Sequence, residues 1–111
     1  MSQQPLPQEI LDGLRNYSTQ LNSVTQQLSY LDRQRSILQV TASEVSSYPT
    51  DRVWRSCGKA FILQDKQRFL DDLKEEERST AEQEKNLKIK QNYLQTSLEK
   101  ATDKLKSIAG N

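Results

Sequence analysis

A long antiparallel two-helix coiled coil with one β-hairpin at its bend is the fold class this sequence predicts, on three observations. Apolar residues recur at alternating steps of three and four from Leu14 to Val45. The rhythm stops at Tyr48-Pro49 and resumes from Leu70 to Ile108. Between the two runs lies the only stretch with strand character. A seven-residue repeat held over several heptads keeps one narrow seam in register along a supercoiled helix, which an ordinary globular helix does not require.

The first helix is expected over 8–48. Pro5 and Pro7 keep the N-terminus from starting a helix at residue 1, and Gly13 and Asn16 weaken the first turns. Its seam reads Leu14, Tyr17, Leu21, Val24, Leu28, Leu31, Arg35, Leu38, Ala42, Val45, in which only Arg35 is strongly polar. It should end just before Pro49, because the residue preceding a proline is pushed out of the helical region.

A β-hairpin is expected over 52–64. Arg52 to Cys57 and Ala60 to Gln64 are short and contain β-branched or aromatic residues, with Gly58-Lys59 between them. Glycine reaches positive φ at little cost, so the pair reads as a tight turn. Trp54, Phe61, Ile62 and Leu63 are a heavy apolar load for an exposed connection, and a lone hairpin is marginal in water with both edges unpaired. Oligomerisation through Val53, Trp54, Cys57, Gly58, Phe61, Ile62 and Leu63 follows, with strands from several copies or relatives closing into a β-barrel and the subunit number undetermined.

The second helix is expected over 65–109, with Asp65 available as its cap and no break before Gly110. Its seam reads Leu70, Leu73, Glu77, Thr80, Glu84, Leu87, Gln91, Leu94, Leu98, Ala101, Leu105, Ile108. An antiparallel pairing about the hairpin matches Leu14 with Leu105, Leu21 with Leu98, Leu28 with Gln91 and Ala42 with Glu77. Arg35 then falls opposite Glu84, and a basic and an acidic break at one height are expected to be ion-pair partners. The competing expectation is that both side chains snorkel to solvent. The whole chain, 1–111, reads as a single domain.

Composition excludes several classes of function. Only 33% of residues are hydrophobic and 28% are charged, enough to bury a seam and too little for a large globular core. Histidine is absent, which removes the side chain that most readily exchanges protons near neutral pH. Neither Asp71-Asp72 nor Glu75-Glu76-Glu77 has a converging set of metal ligands in sequence. Glycines stand only at 13, 58 and 110, so no phosphate-cradling loop exists. The expectation is no enzyme, no catalytic, metal or cofactor-binding residues and no cofactor.

Nucleic acid and membrane are also excluded as partners. Residues 65–84 carry eight acidic against four basic side chains and residues 85–111 two against six, a gradient that suits the helix macrodipole without any ligand. Tyr93 is the only aromatic after Phe69, so the terminal lysines lack a stacking platform. The longest wholly apolar run, Ala60 to Leu63, is far below the roughly 20 residues that cross a bilayer. The single thiol, Cys57, cannot form an intrachain disulfide, and Met1-Ser2-Gln3-Gln4 opens no signal sequence, which together suggest a reducing, intracellular home.

The block Tyr48-Pro49-Thr50-Asp51-Arg52-Val53-Trp54-Arg55-Ser56-Cys57-Gly58-Lys59-Ala60-Phe61-Ile62-Leu63-Gln64 resembles the hairpin of eukaryotic prefoldin subunits of the β class, and Ser29-Tyr30-Leu31-Asp32-Arg33-Gln34 is also similar. The layout of helix, single hairpin and helix matches over essentially the whole chain; α-class subunits have two hairpins. Trp54 and Cys57 stand where a tyrosine and an aliphatic residue are more usual in the class. The resemblance implies a subunit of an ATP-independent heterohexameric cochaperone with two α-class and four β-class subunits. It implies hairpins forming a double β-barrel body, and coiled-coil tentacles that hold unfolded actin or tubulin for transfer to the group II cytosolic chaperonin. Cytoplasmic residence is implied, with nuclear residence left open.

Leu6, Ile10, Leu11 and Leu14 from one terminus and Leu105 and Ile108 from the other are the candidate client-binding residues at the tentacle tip. Fraying of the last turns would open their apolar surface, and several weakly binding tentacles would supply avidity. The simpler alternative is that they only close the coiled-coil end. A structural coiled-coil adaptor that tethers protein partners is the alternative function.

Overall fold

The computed structural model describes residues 7–110. In chain order they form helix α1 (Pro7–Ser47), strand β1 (Arg52–Cys57), strand β2 (Ala60–Asp65) and helix α2 (Lys66–Ala109). Proline is favoured at the first position of a helix, where its missing N–H costs nothing, and α1 accordingly starts at Pro7 rather than Gln8. At the other end Tyr48 has left the helix, although its amide still donates to the Val45 carbonyl at 3.2 Å. That shortened step is what the clash with the ring of Pro49 allows.

The strands pair antiparallel, from Arg52 with Asp65 to Cys57 with Ala60. Gly58 has φ of 62°. Lys59 keeps an ordinary negative φ, and a positive φ at the first central residue alone is the pattern of a type II′ turn. Asp65 thus belongs to the ladder, and α2 begins one residue later.

The chain divides into two compact units. One contains residues 30–84, and with them the whole hairpin. Its helical segments bury Leu73, Thr80 and Glu84, with Leu31, Leu38, Ala42, Val45 and Leu70 half-buried. They run antiparallel, since Gln39 Nε2 donates to Glu77 Oε1 at 2.8 Å and Arg35 Nη1 to Glu84 Oε2 at 3.1 Å. The other unit takes the described residues up to 29 and those from 85 onward. It holds the best-buried side chains, Val24 and Leu94, together with Ile10. Gln91 Nε2 reaches Thr25 Oγ1 at 3.4 Å across this second stretch of seam.

Burial is deep at few positions and partial at many, as a two-helix seam requires. Where α2 presents polar residues, each is given a partner. Thr80 turns its hydroxyl back to the Glu76 carbonyl at 2.8 Å. Glu84, only 5% exposed, takes the guanidinium of Arg35. Arg35 Nε lies 4.0 Å from Glu77 Oε1, an ionic rather than a hydrogen-bonded distance. That nitrogen is therefore buried without a hydrogen-bond partner, and so is the second carboxylate oxygen of Glu84, Oε1.

Such a pair costs desolvation and returns specificity of register more than stability. Glu84→Ala leaves a cation facing the seam and should lower stability by about 2 kcal/mol in urea unfolding. That is below the usual cost of breaking a buried pair, because the Arg35 side chain, 39% exposed, can turn outward. Arg35→Leu with Glu84→Leu should be neutral or more stable by about 1 kcal/mol. A double variant clearly less stable than the parent would contradict this account.

Candidate functional site

The hairpin carries the candidate site. Side chains alternate faces along a strand and cross-strand partners share one, so the observed register sorts the apolar residues. Trp54, Phe61 and Leu63 lie on one face with Arg52, Ser56 and Asp65. Ile62 lies on the other, with Val53, Arg55, Cys57, Ala60 and Gln64. The sequence alone groups Trp54, Phe61, Ile62 and Leu63 as one apolar set, and strand parity splits that set in two.

The Ile62 face is partly covered by the start of α2. Arg55 Nη1 and Gln64 Nε2 both donate to Asp72 Oδ2, at 3.2 and 3.1 Å, and the Arg55 guanidinium stands 5.9 Å from the centre of the Phe69 ring. One carboxylate thereby ties both strands to the first turns of α2, and Val53, Arg55 and Gln64 are half-buried. The opposite face is bare. Trp54 is 69% exposed, Phe61 68% and Leu63 43%. Ile62 is 53% exposed, so even the covered face keeps an open corner; Cys57 and Gly58 are exposed beside it. An aromatic residue in water on a two-stranded ribbon is a surface awaiting a partner, worth roughly 1.5–3 kcal/mol per side chain when fully covered.

The hairpin is anchored at its base by Lys66. Its amide donates to the Asp51 carbonyl at 2.8 Å, which satisfies the first N–H of α2 from across the ribbon. Its ammonium donates to the carbonyls of Ser46, at 3.1 Å, and Tyr48. The last turn of α1 contains no basic residue, so Lys66 supplies the cation favoured at a helix C-terminus from the following helix. Sequence spacing gives no hint of this role.

At the outer ends of the helices the expected tip residues divide by burial. Ile10 is 7% exposed and belongs to the seam. Leu11, Leu14 and Leu105 are half-buried, and Ile108 is 37% exposed. Leu6 lies outside the described residues. The acidic run on α2 points to solvent at Glu75, where the neighbouring Arg78 binds the carboxylate at 2.6 Å and holds it below the usual carboxylate range. No group of three or more potential metal ligands occurs among the described residues. No described helix is long and apolar enough to cross a membrane.

Comparison with known proteins places this arrangement. Residues 8–111 match the family model for a prefoldin subunit. The chain belongs to the prefoldin family. It is 53% identical to prefoldin subunit 1 of Saccharomyces cerevisiae over 96% of this chain and 97% of that protein. It is 29% identical to prefoldin subunit 1 of Danio rerio over 74% of this chain and 68% of that one. The crystal structure of the prefoldin β subunit from Thermococcus strain KS-1 superimposes with a TM-score of 0.85 over 96% of this chain and 95% of that one, at 23% identity. The fold is therefore that of a prefoldin β subunit, with the single hairpin between two helices. As a prefoldin subunit, the chain has other prefoldin subunits as its partners.

Lys66→Met removes the cation from the end of α1 while preserving the stem of the side chain. The expected result is a loss of about 1 kcal/mol, lessened by salt. Hydrogen exchange should show the change in the amides of residues 45–56 and leave those near Val24 and Leu94 as they were. Uniform loss of protection along the chain would argue against a local anchor.

Proposed function

We propose that this prefoldin-family chain enters a heterohexamer of two α-class and four β-class subunits through its hairpin, and that the free ends of its helices capture unfolded proteins. The bare face of Trp54, Phe61 and Leu63 carries the first half of the proposal. A ribbon with both edges open and one apolar face uncovered is completed by neighbouring strands, which satisfy edge amides and bury the rings together. A β-barrel shared between subunits does both.

The second half rests on the ends of the helices. Ile108 is open, while Leu11, Leu14 and Leu105 are only half-covered, so modest fraying exposes a contiguous apolar strip. Ile10, buried in the described state, joins it only when the first turns loosen. Weak contacts of this kind hold a client when several tentacles engage it together. Unfolded actin and tubulin are the clients and the group II cytosolic chaperonin the recipient in this reading, which places the chain in the cytoplasm. Holding requires neither catalysis nor nucleotide, in keeping with a chain that lacks histidine and any glycine-rich phosphate loop.

Native mass spectrometry after mixing with α-class and β-class prefoldin subunits tests assembly. Trp54→Ser with Phe61→Ser should remove this chain from the hexamer while leaving its helical circular dichroism unchanged. Unimpaired entry of the double variant would refute the hairpin interface.

Truncation to residues 13–103 tests capture. The truncated chain should still join the hexamer, and the hexamer should suppress aggregation of diluted denatured actin less well by light scattering. Undiminished suppression would refute the role of the tips and favour an adaptor that never touches unfolded chains.

A further inference from the structure

A second apolar stripe runs along α1, separate from the seam. Tyr30, Ile37 and Val40 are 59%, 51% and 57% exposed, a cluster of apolar side chains on one stretch of α1 that its own seam does not cover. With Arg33 and Glu44 they stand at steps of three, four, three and four, the spacing by which one helix packs against another. The seam uses Leu31, Arg35, Leu38, Ala42 and Val45; the stripe therefore lies about 140° around the helix from it. A shallow groove of 270 Å³ lies between Ile37 and Val40, bordered by Arg33 and Thr41.

The charges within this stripe identify its occupant. In the seam, Arg35 is answered by Glu84 and Glu77 from the facing helix. In the stripe, Arg33 and Glu44 are exposed and neither forms an ion pair among the described residues. They are placed symmetrically about the apolar pair. Laid antiparallel on a second copy of itself, the stripe sets Ile37 against Val40 of the other copy and Arg33 against Glu44 at the same time. Both matches repeat by the two-fold axis, so the surface is self-complementary in shape and charge.

We propose that this stripe docks a second copy of the same chain, α1 against α1, with Ile37 and Val40 at the centre and Arg33 paired with Glu44 on both sides. The contact is small and belongs to the weak, transient class. It is independent of the hairpin face and of the tips.

The test uses the full chain carrying Arg33→Lys, mixed as isotopically light and heavy copies and treated at high concentration with a zero-length carbodiimide. Positions 33 and 44 are eleven residues apart on one helix, about 16 Å, so an amide bond between them forms only between two chains. The expected product is a mixed-isotope peptide joining the introduced amine to Glu44. It should persist when Trp54→Ser and Phe61→Ser are added, which separates it from association through the hairpin.

In that hairpin background, sedimentation should show Arg33→Glu alone or Glu44→Arg alone weakening self-association at least about tenfold, with the two together restoring it. Absence of the mixed-isotope link in a chain of unchanged helicity would overturn the proposal. So would single reversals that associate like the parent, or a double reversal that fails to recover.

Discussion

The register between the two helices is the constraint on which the rest depends, and it is set at the base of the hairpin. Lys66 joins three things at once: the end of α1 through its ammonium, Asp51 just before β1 through its amide, and α2 through its own place in the helix. With that junction in place, every seam layer of the hairpin unit follows by counting outward. Arg35 with Glu84 then acts as a check on the count, because a slip of either helix would leave two charges facing apolar neighbours. Apolar contacts alone would tolerate such a slip far better, since leucine packs against leucine in several registers.

The hairpin and the seam answer different physical demands. Apart from the ends that Lys66 and Asp51 serve, the helices satisfy their backbone groups internally and need only one apolar strip, so they can form from this chain's own residues. The ribbon has no such closure. Its pairing satisfies half of its edge groups, Asp72 ties down one face, and the aromatic face remains in water. Assembly through the ribbon and action at the helix ends are thus consistent with where the chain is finished and where it is not.

Most of the fold was legible in the sequence because its determinants are local or periodic. The heptad rhythm marks both helices, Pro49 ends the first, and Gly58 marks a turn that needs one positive φ. The height of Arg35 against Glu84 follows from antiparallel counting alone. Other features depended on information that periodicity does not hold. The reach of Lys66 to carbonyls 18 and 20 residues earlier, and of Asp72 to both strands, is set by how the ribbon leans on α2. The split of Trp54, Phe61 and Leu63 from Ile62 was available from strand parity once the turn was placed at Gly58-Lys59. The stripe of Tyr30, Ile37 and Val40 also lay in plain sight, hidden by the stronger repeat of the same period on another face of the helix. At the tips, Ile10 precedes the clear repeat at Leu14, so its burial was not marked by the pattern.

The shallow burial along the seam has a thermodynamic consequence of its own. In a globular core each side chain touches neighbours in every direction, and one cavity is felt throughout. Here a layer meets chiefly the layers directly above and below it, so stability accumulates as in a zipper, tooth by tooth. Damage at Leu105 is then felt first by the adjoining layers of its own unit. A chain of this kind can carry changes at its free ends through evolution, one tooth at a time, while the fastening at Lys66 stays as it is.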